Sequence, residues 1–174
     1  MKLLDLCASL SLVTLAACAG TAASEQSLPC ELTPAAASSS QRLAARGVQI
    51  YECRTAPDPY SPAQWTLVAP EAELFDVGGQ RVGRHFAGPH WEATDGSRIV
   101  GSVKARADAP QRGAIPWLLL GTKSVGGPGH FSRVTQVLRI NTVGGVAPAT
   151  ACSPGVPGGR VSVPYSADYV LFTD

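Results

Sequence analysis

The densest run of chemically capable side chains is Arg84-His85-Phe86-Ala87-Gly88-Pro89-His90-Trp91-Glu92, followed closely by Asp95. Two imidazoles and two carboxylates are ligand types for a divalent cation such as zinc or iron. A metal-assisted hydrolase or oxidoreductase using His85 and Glu92 is therefore one reading, with His130 as a third ligand. The spacing works against it. Residues five apart on a continuous strand face opposite sides, so the Gly88-Pro89 turn would have to bring His85 and His90 together. In the structural alternative this is a hairpin, with His85 bonded to a backbone carbonyl and His90 near solvent. No Gly-x-Ser-x-Gly elbow and no paired acids supply a nucleophile or a glycosidase couple. The Gly126-Gly127-Pro128-Gly129 run lacks the Lys-Ser/Thr ending of a phosphate loop. No motif calls for a cofactor.

The three tryptophans, Trp65, Trp91 and Trp117, support a binding reading. Trp117 lies in an apolar run and is expected in the core. Trp91 is the best candidate for a pocket edge, with Tyr60 as a possible neighbour from its Pro-rich loop. The candidate binding surface is thus His85, His90, Trp91, Glu92 and Asp95. Asp168 is expected as a structural carboxylate, capping a turn or pairing with Arg84 or Arg98.

These residues must be positioned by strands. The chain has 174 residues, 18 Gly and 14 Pro, so long helices are disfavoured, while 45% hydrophobic content suffices for one core. Only 16% of residues are charged, against about 25% in an average domain. The net charge of +1, with no basic block, excludes a nucleic-acid-binding module. A short helix is expected over Gln41–Arg46, capped by Ser40 and stopped by Gly47. From Gly47 onward, short β-rich runs alternate with Gly, Pro and Asp clusters. Asp95-Gly96 is a hairpin signal. Ile115 to Leu120 is a continuous apolar run, as in a strand buried on both faces. The step from Val134 to Val137 breaks alternation and marks a bulge. The expected fold is all-β: a single-domain antiparallel sandwich or barrel of about eight or nine strands, spanning 47–174, with at most one short N-terminal helix.

The N-terminus directs the chain out of the cytoplasm. Leu6 to Ala17 is an apolar stretch of 12 residues after Lys2, too short to span a membrane and suited to a signal peptide over 1–17. It ends in Leu15-Ala16-Ala17-Cys18, which resembles the lipobox of bacterial lipoproteins. That resemblance implies cleavage before Cys18, acylation of Cys18 and a membrane anchor, with 18–46 as a tether. Ordinary signal cleavage at a nearby small-residue site is the alternative. Ala19 after the cysteine is similar to lipoproteins sorted to an outer membrane. Of the remaining cysteines, Cys53 and Cys152 flank strands and Cys30 does not. A Cys53–Cys152 disulfide is favoured over unpaired thiols, leaving Cys30 free or paired elsewhere.

Several stretches together resemble an exported bacterial and fungal family, domain-of-unknown-function family 3455. They include Gly47-Val48-Gln49-Ile50-Tyr51-Glu52-Cys53, Val82-Gly83-Arg84-His85-Phe86-Ala87-Gly88-Pro89, Trp91-Glu92-Ala93, Ile115-Pro116-Trp117-Leu118-Leu119 and Val163-Pro164-Tyr165-Ser166-Ala167-Asp168-Tyr169. The resemblance implies an exported single β domain without an assigned reaction. At His90 the chain departs from the family, whose members more often carry a small polar residue. The combined expectation is a non-catalytic, lipid-anchored envelope protein that binds a small molecule, a glycan or a protein. A structural envelope protein without a ligand is the remaining alternative.

Overall fold

Alternation of inward and outward side chains organises almost the whole backbone. A computed structural model describes residues 27–56, 58, 60–153 and 159–174. The signal peptide expected over 1–17 and the expected acylation site Cys18 lie outside the described residues. Eight strands follow one another: β1 (Ser39–Arg54), β2 (Gln64–Phe75), β3 (Arg81–Phe86), β4 (His90–Ala93), β5 (Arg98–Ala107), β6 (Trp117–Ser124), β7 (Val134–Gly144) and β8 (Arg160–Thr173). Each pairs antiparallel with its neighbour in sequence, and β8 pairs back onto β1, closing an up-and-down barrel. That closing register runs unbroken from Ser39↔Thr173 to Glu52↔Arg160. The choice between sandwich and barrel is thereby settled as a barrel.

The expected helix over Gln41–Arg46 is not formed. Those residues are the first half of β1, with Leu43 and Ala45 buried inside the barrel. The apolar pair at alternate positions serves a strand as well as a short helix, and pairing to β8 decides the matter. The only helical element among the described residues is a 3-10 turn at Cys30–Leu32. Gln64 to Ala69 and Glu73 to Val77, read as separate runs, merge into the single strand β2. It tolerates Pro70 because Pro70 pairs with Gln49 on β1, while pairing to β3 begins only at Ala72↔His85.

The apolar run before Gly121 is explained by burial on both faces. Leu120 joins the inner core with Trp91, Ile99, Val137 and Tyr169. Trp117 and Leu119 point outward and pack with Leu138 and Val170 under Leu32. The segment ahead of β1 covers this outer patch and is pinned where the Ala35 N–H donates to Gln136 Oε1 at 2.9 Å. The expected bulge near Val134 is present as a register shift between Val134 and Gln136. The Asp95-Gly96 turn joins β4 to β5, with Gly96 at φ 85°.

Candidate functional site

The β3–β4 hairpin places its side chains by strict alternation. His85 pairs directly with Trp91, and Arg84 with Glu92. Cross-strand partners share a face, so His85 and Trp91 point into the barrel while Arg84 and Glu92 point out. Their rings stack with centroids 4.4 Å apart and planes at 15°. Tyr169 from β8 stands edge-on to both, at 5.1 Å from His85 and 5.6 Å from Trp91. Gly101 on β5 leaves room for this stack, since a Cβ there would lie 2.8 Å from Trp91 Cζ3.

His85 is buried, and its Nδ1 lies 2.8 Å from the His90 carbonyl oxygen. The acceptor assigns the hydrogen to Nδ1 and leaves Nε2 with a lone pair. Burial lowers the His85 pKa to about 3; the bond to the His90 carbonyl opposes this, and nearby Arg139 and His90 reinforce it. The imidazole is therefore neutral at physiological pH.

Beside this stack lies a cavity of about 610 Å³. β3 and β4 are short against β1, so the wall is low where the first half of β2 faces the Gly88-Pro89 turn. Leu118 and Leu120 line the apolar interior, and Leu67 and Val103 line the rim at 51% and 56% exposure. A register shift between Val103 and Ala105 reverses the parity of β5 and turns Arg106 toward the same cavity. Arg139 enters from β7, opposite Leu118 on β6 and Tyr169 on β8. Its Nε and Nη2 donate to the Pro116 carbonyl at 3.1 and 2.9 Å.

Polar groups in the wall are unevenly satisfied. The Tyr51 hydroxyl donates to the Gly145 carbonyl at 2.6 Å. Burial raises the pKa of Tyr51, with Arg139 opposing, and also raises that of Tyr165, which lies in the core rather than in the cavity lining. Both remain neutral phenols. The side-chain nitrogens of Gln49 and Trp91 are buried without an acceptor among the described residues. Among the described residues, no lining residue is Asp or Glu, and no ion pair reaches Arg139.

The five residues singled out from the sequence do not form one surface. His85 and Trp91 line the cavity. His90 lies outside, stacked on Phe86 at 5.3 Å, with Nδ1 2.6 Å from the Ala87 carbonyl. Glu92 also faces out, 2.7 Å from Arg84 and 3.5 Å from Arg98. Asp95 belongs to the β4–β5 turn. It accepts from the Ser97 hydroxyl and N–H and from the His130 N–H, which hold its carboxyl at about 2. His85 and Glu92 lie on opposite faces of the sheet and cannot share a metal, and His130 bonds Gln41 at 2.7 Å. No group of three potential ligands is gathered among the described residues. Asp168 pairs with Arg42 and accepts from Asn141, rather than meeting Arg84 or Arg98. Tyr60 is 96% exposed and apart from the cavity.

Arg139 and Gln49 were not among the sequence candidates. Their signal was a cation within Val137-Leu138-Arg139-Ile140 and an amide within Val48-Gln49-Ile50, each a polar residue in an apolar strand. The disulfide joins Cys53 to Cys152, with S–S 2.01 Å. It ties the end of β1 to the segment after β7, whose Val146 and Ala147 line the cavity. Cys30 is exposed and has no partner among the described residues.

A family profile described as "Protein of unknown function (DUF3455)" matches residues 34–173. The chain belongs to the DUF3455 family. The matched region takes in all eight strands, so the cavity of this DUF3455 chain lies wholly within the family domain. No curated protein matches the sequence.

Proposed function

We propose that this DUF3455 chain is a non-catalytic binding protein that takes one small, largely apolar molecule into the barrel. The observation that carries this reading is the cavity of about 610 Å³, with leucines and a tryptophan in its wall and exposed Leu67 and Val103 at its rim. An eight-stranded barrel is just wide enough to fill with side chains or to hold one small ligand. Here the short β3 and β4 leave one side unfilled. An interior cavity of this kind suits a small molecule better than a protein or a long glycan, which need an outer surface. The test is titration with a neutral naphthylamine fluorophore, followed by energy transfer from tryptophan. Saturable one-to-one binding is expected, with weaker binding in Leu118→Trp, which intrudes on the apolar interior. Non-saturable binding, or binding unchanged in a folded Leu118→Trp protein, would overturn the reading.

We propose also that the chain is exported and held at the cell envelope by acylation of Cys18, with the barrel facing the periplasm or the outside. The Leu15-Ala16-Ala17-Cys18 sequence supports this. So does the Cys53–Cys152 disulfide, a bond that persists in oxidising compartments. Intact-mass spectrometry of the mature N-terminus would find diacylglyceryl-modified Cys18. An unmodified N-terminus at another small residue would assign ordinary signal cleavage instead.

A further inference from the structure

We propose that the ligand is a monocarboxylate with an apolar body, its carboxylate held by Arg139 and its body lying against Leu118, Leu120 and Val103. This rests on the reading of the barrel as a small-molecule binder and names the ligand class.

The argument is a count of donors against acceptors. A guanidinium offers five N–H groups in a planar fork. In Arg139 the Nε and one Nη2 hydrogen both go to the Pro116 carbonyl. The other three have no partner among the described residues. Gln49 is 2% exposed, and its amide nitrogen is enclosed by protein with no acceptor among the described residues. Trp91 adds a third buried donor without an acceptor. An amide flip at Gln49 would exchange nitrogen for oxygen, but Arg139 and Trp91 can only donate. Against these donors the described lining holds no carboxylate. The neutral His85 leaves one lone pair on Nε2, already within an aromatic stack. Buried donors without acceptors are costly, and an unpaired half-buried cation more so. A ligand oxyanion gives the free Arg139 donors a partner, and a guanidinium matches a carboxylate in a two-bond fork. One half-buried cation suits a single negative charge. A phosphate dianion would carry a larger desolvation cost with only the exposed Arg106 to add charge. The apolar rim requires the rest of the molecule to be apolar.

The test uses two acid–alcohol pairs with matched bodies, decanoate against decan-1-ol and 1-naphthylacetate against 2-(1-naphthyl)ethanol. They are titrated into the mature protein near neutral pH and followed by calorimetry and tryptophan fluorescence. The pairs distinguish an aliphatic from an aromatic body. Within at least one pair the acid should bind roughly 10- to 100-fold tighter than its alcohol, the range of a charge-assisted bond. Arg139→Gln should abolish that preference, weakening the acid far more than the alcohol, and Arg139→Lys should restore part of it. Should Arg139→Gln fail to fold, the wild-type acid–alcohol comparison and Arg139→Lys still decide. Equal affinity for acid and alcohol, or a preference that survives Arg139→Gln, overturns the carboxylate assignment and leaves the binding reading standing. Failure of all four probes to bind a folded protein that still takes the naphthylamine fluorophore overturns the carboxylate assignment alone, and failure of that fluorophore as well overturns both.

Discussion

His85 shows how far a side chain's chemistry depends on where its strand faces. Beside a histidine, a glutamate and an aspartate it reads as a metal ligand. Inside the barrel it is a neutral ring stacked on Trp91, donating to the His90 carbonyl. Its pKa of about 3, against an ordinary 6.5, carries a consequence for stability. Above about pH 6.5 the ring is neutral folded and unfolded, and contributes no pH dependence. Below that, the unfolded ring takes a proton that the folded one refuses, so acidification favours unfolding down to about pH 3. The slope is about 1.4 kcal/mol per pH unit. Urea unfolding of wild type and His85→Gln between about pH 7 and pH 4.5 should show wild type losing stability faster, by about that amount per unit. Parallel pH dependences would mean that His85 is charged or solvated in the fold.

At the scale of elements, the β3–β4–β5 segment builds the aromatic wall, and glycine on β5 is what permits it. Any side chain at Gly101 meets the Trp91 ring, with Leu120 Cδ2 3.2 Å from the same point. Gly101→Ala should displace Trp91 from His85 and cost roughly 1–3 kcal/mol, as overpacking of a core does. Near-UV circular dichroism should lose intensity, and the urea midpoint should fall. An unchanged spectrum and midpoint would show that the wall has slack. Most elements were legible from local chemistry. The turn at Asp95-Gly96, the bulge after Val134 and the doubly buried Trp117–Leu120 run all follow from residue type and alternation. The Gln41–Arg46 helix was misread because six residues carry too little periodicity to separate a helical turn from a strand. Their partner strand lies at the other end of the chain.

For the whole molecule, closure and the disulfide act over comparable distances. Ser39 meets Thr173 across the barrel seam, and Cys53 meets Cys152 over a separation of 99 residues. Opening that covalent loop should cost as much as about 4.7 kcal/mol in the chain-entropy account. The Cys53→Ser, Cys152→Ser double variant should show this as a lower urea midpoint than the oxidised wild type. It should also release bound ligand faster, because Val146 and Ala147 lose their tether to β1. Equal midpoints would make the bridge incidental to stability. The sequence by itself determined the all-β class, favoured Cys53 and Cys152 as partners, and carried the family resemblance. These rest on composition, period-two alternation and short motifs, which are local. Only the tertiary structure decided that the sheet closes, which face of each strand is inside, and that Arg139, Gln49, His85 and Trp91 share one cavity. A single bulge reverses every later side chain on a strand, and the seam register joins residues more than a hundred positions apart. Neither can be read from neighbours along the chain.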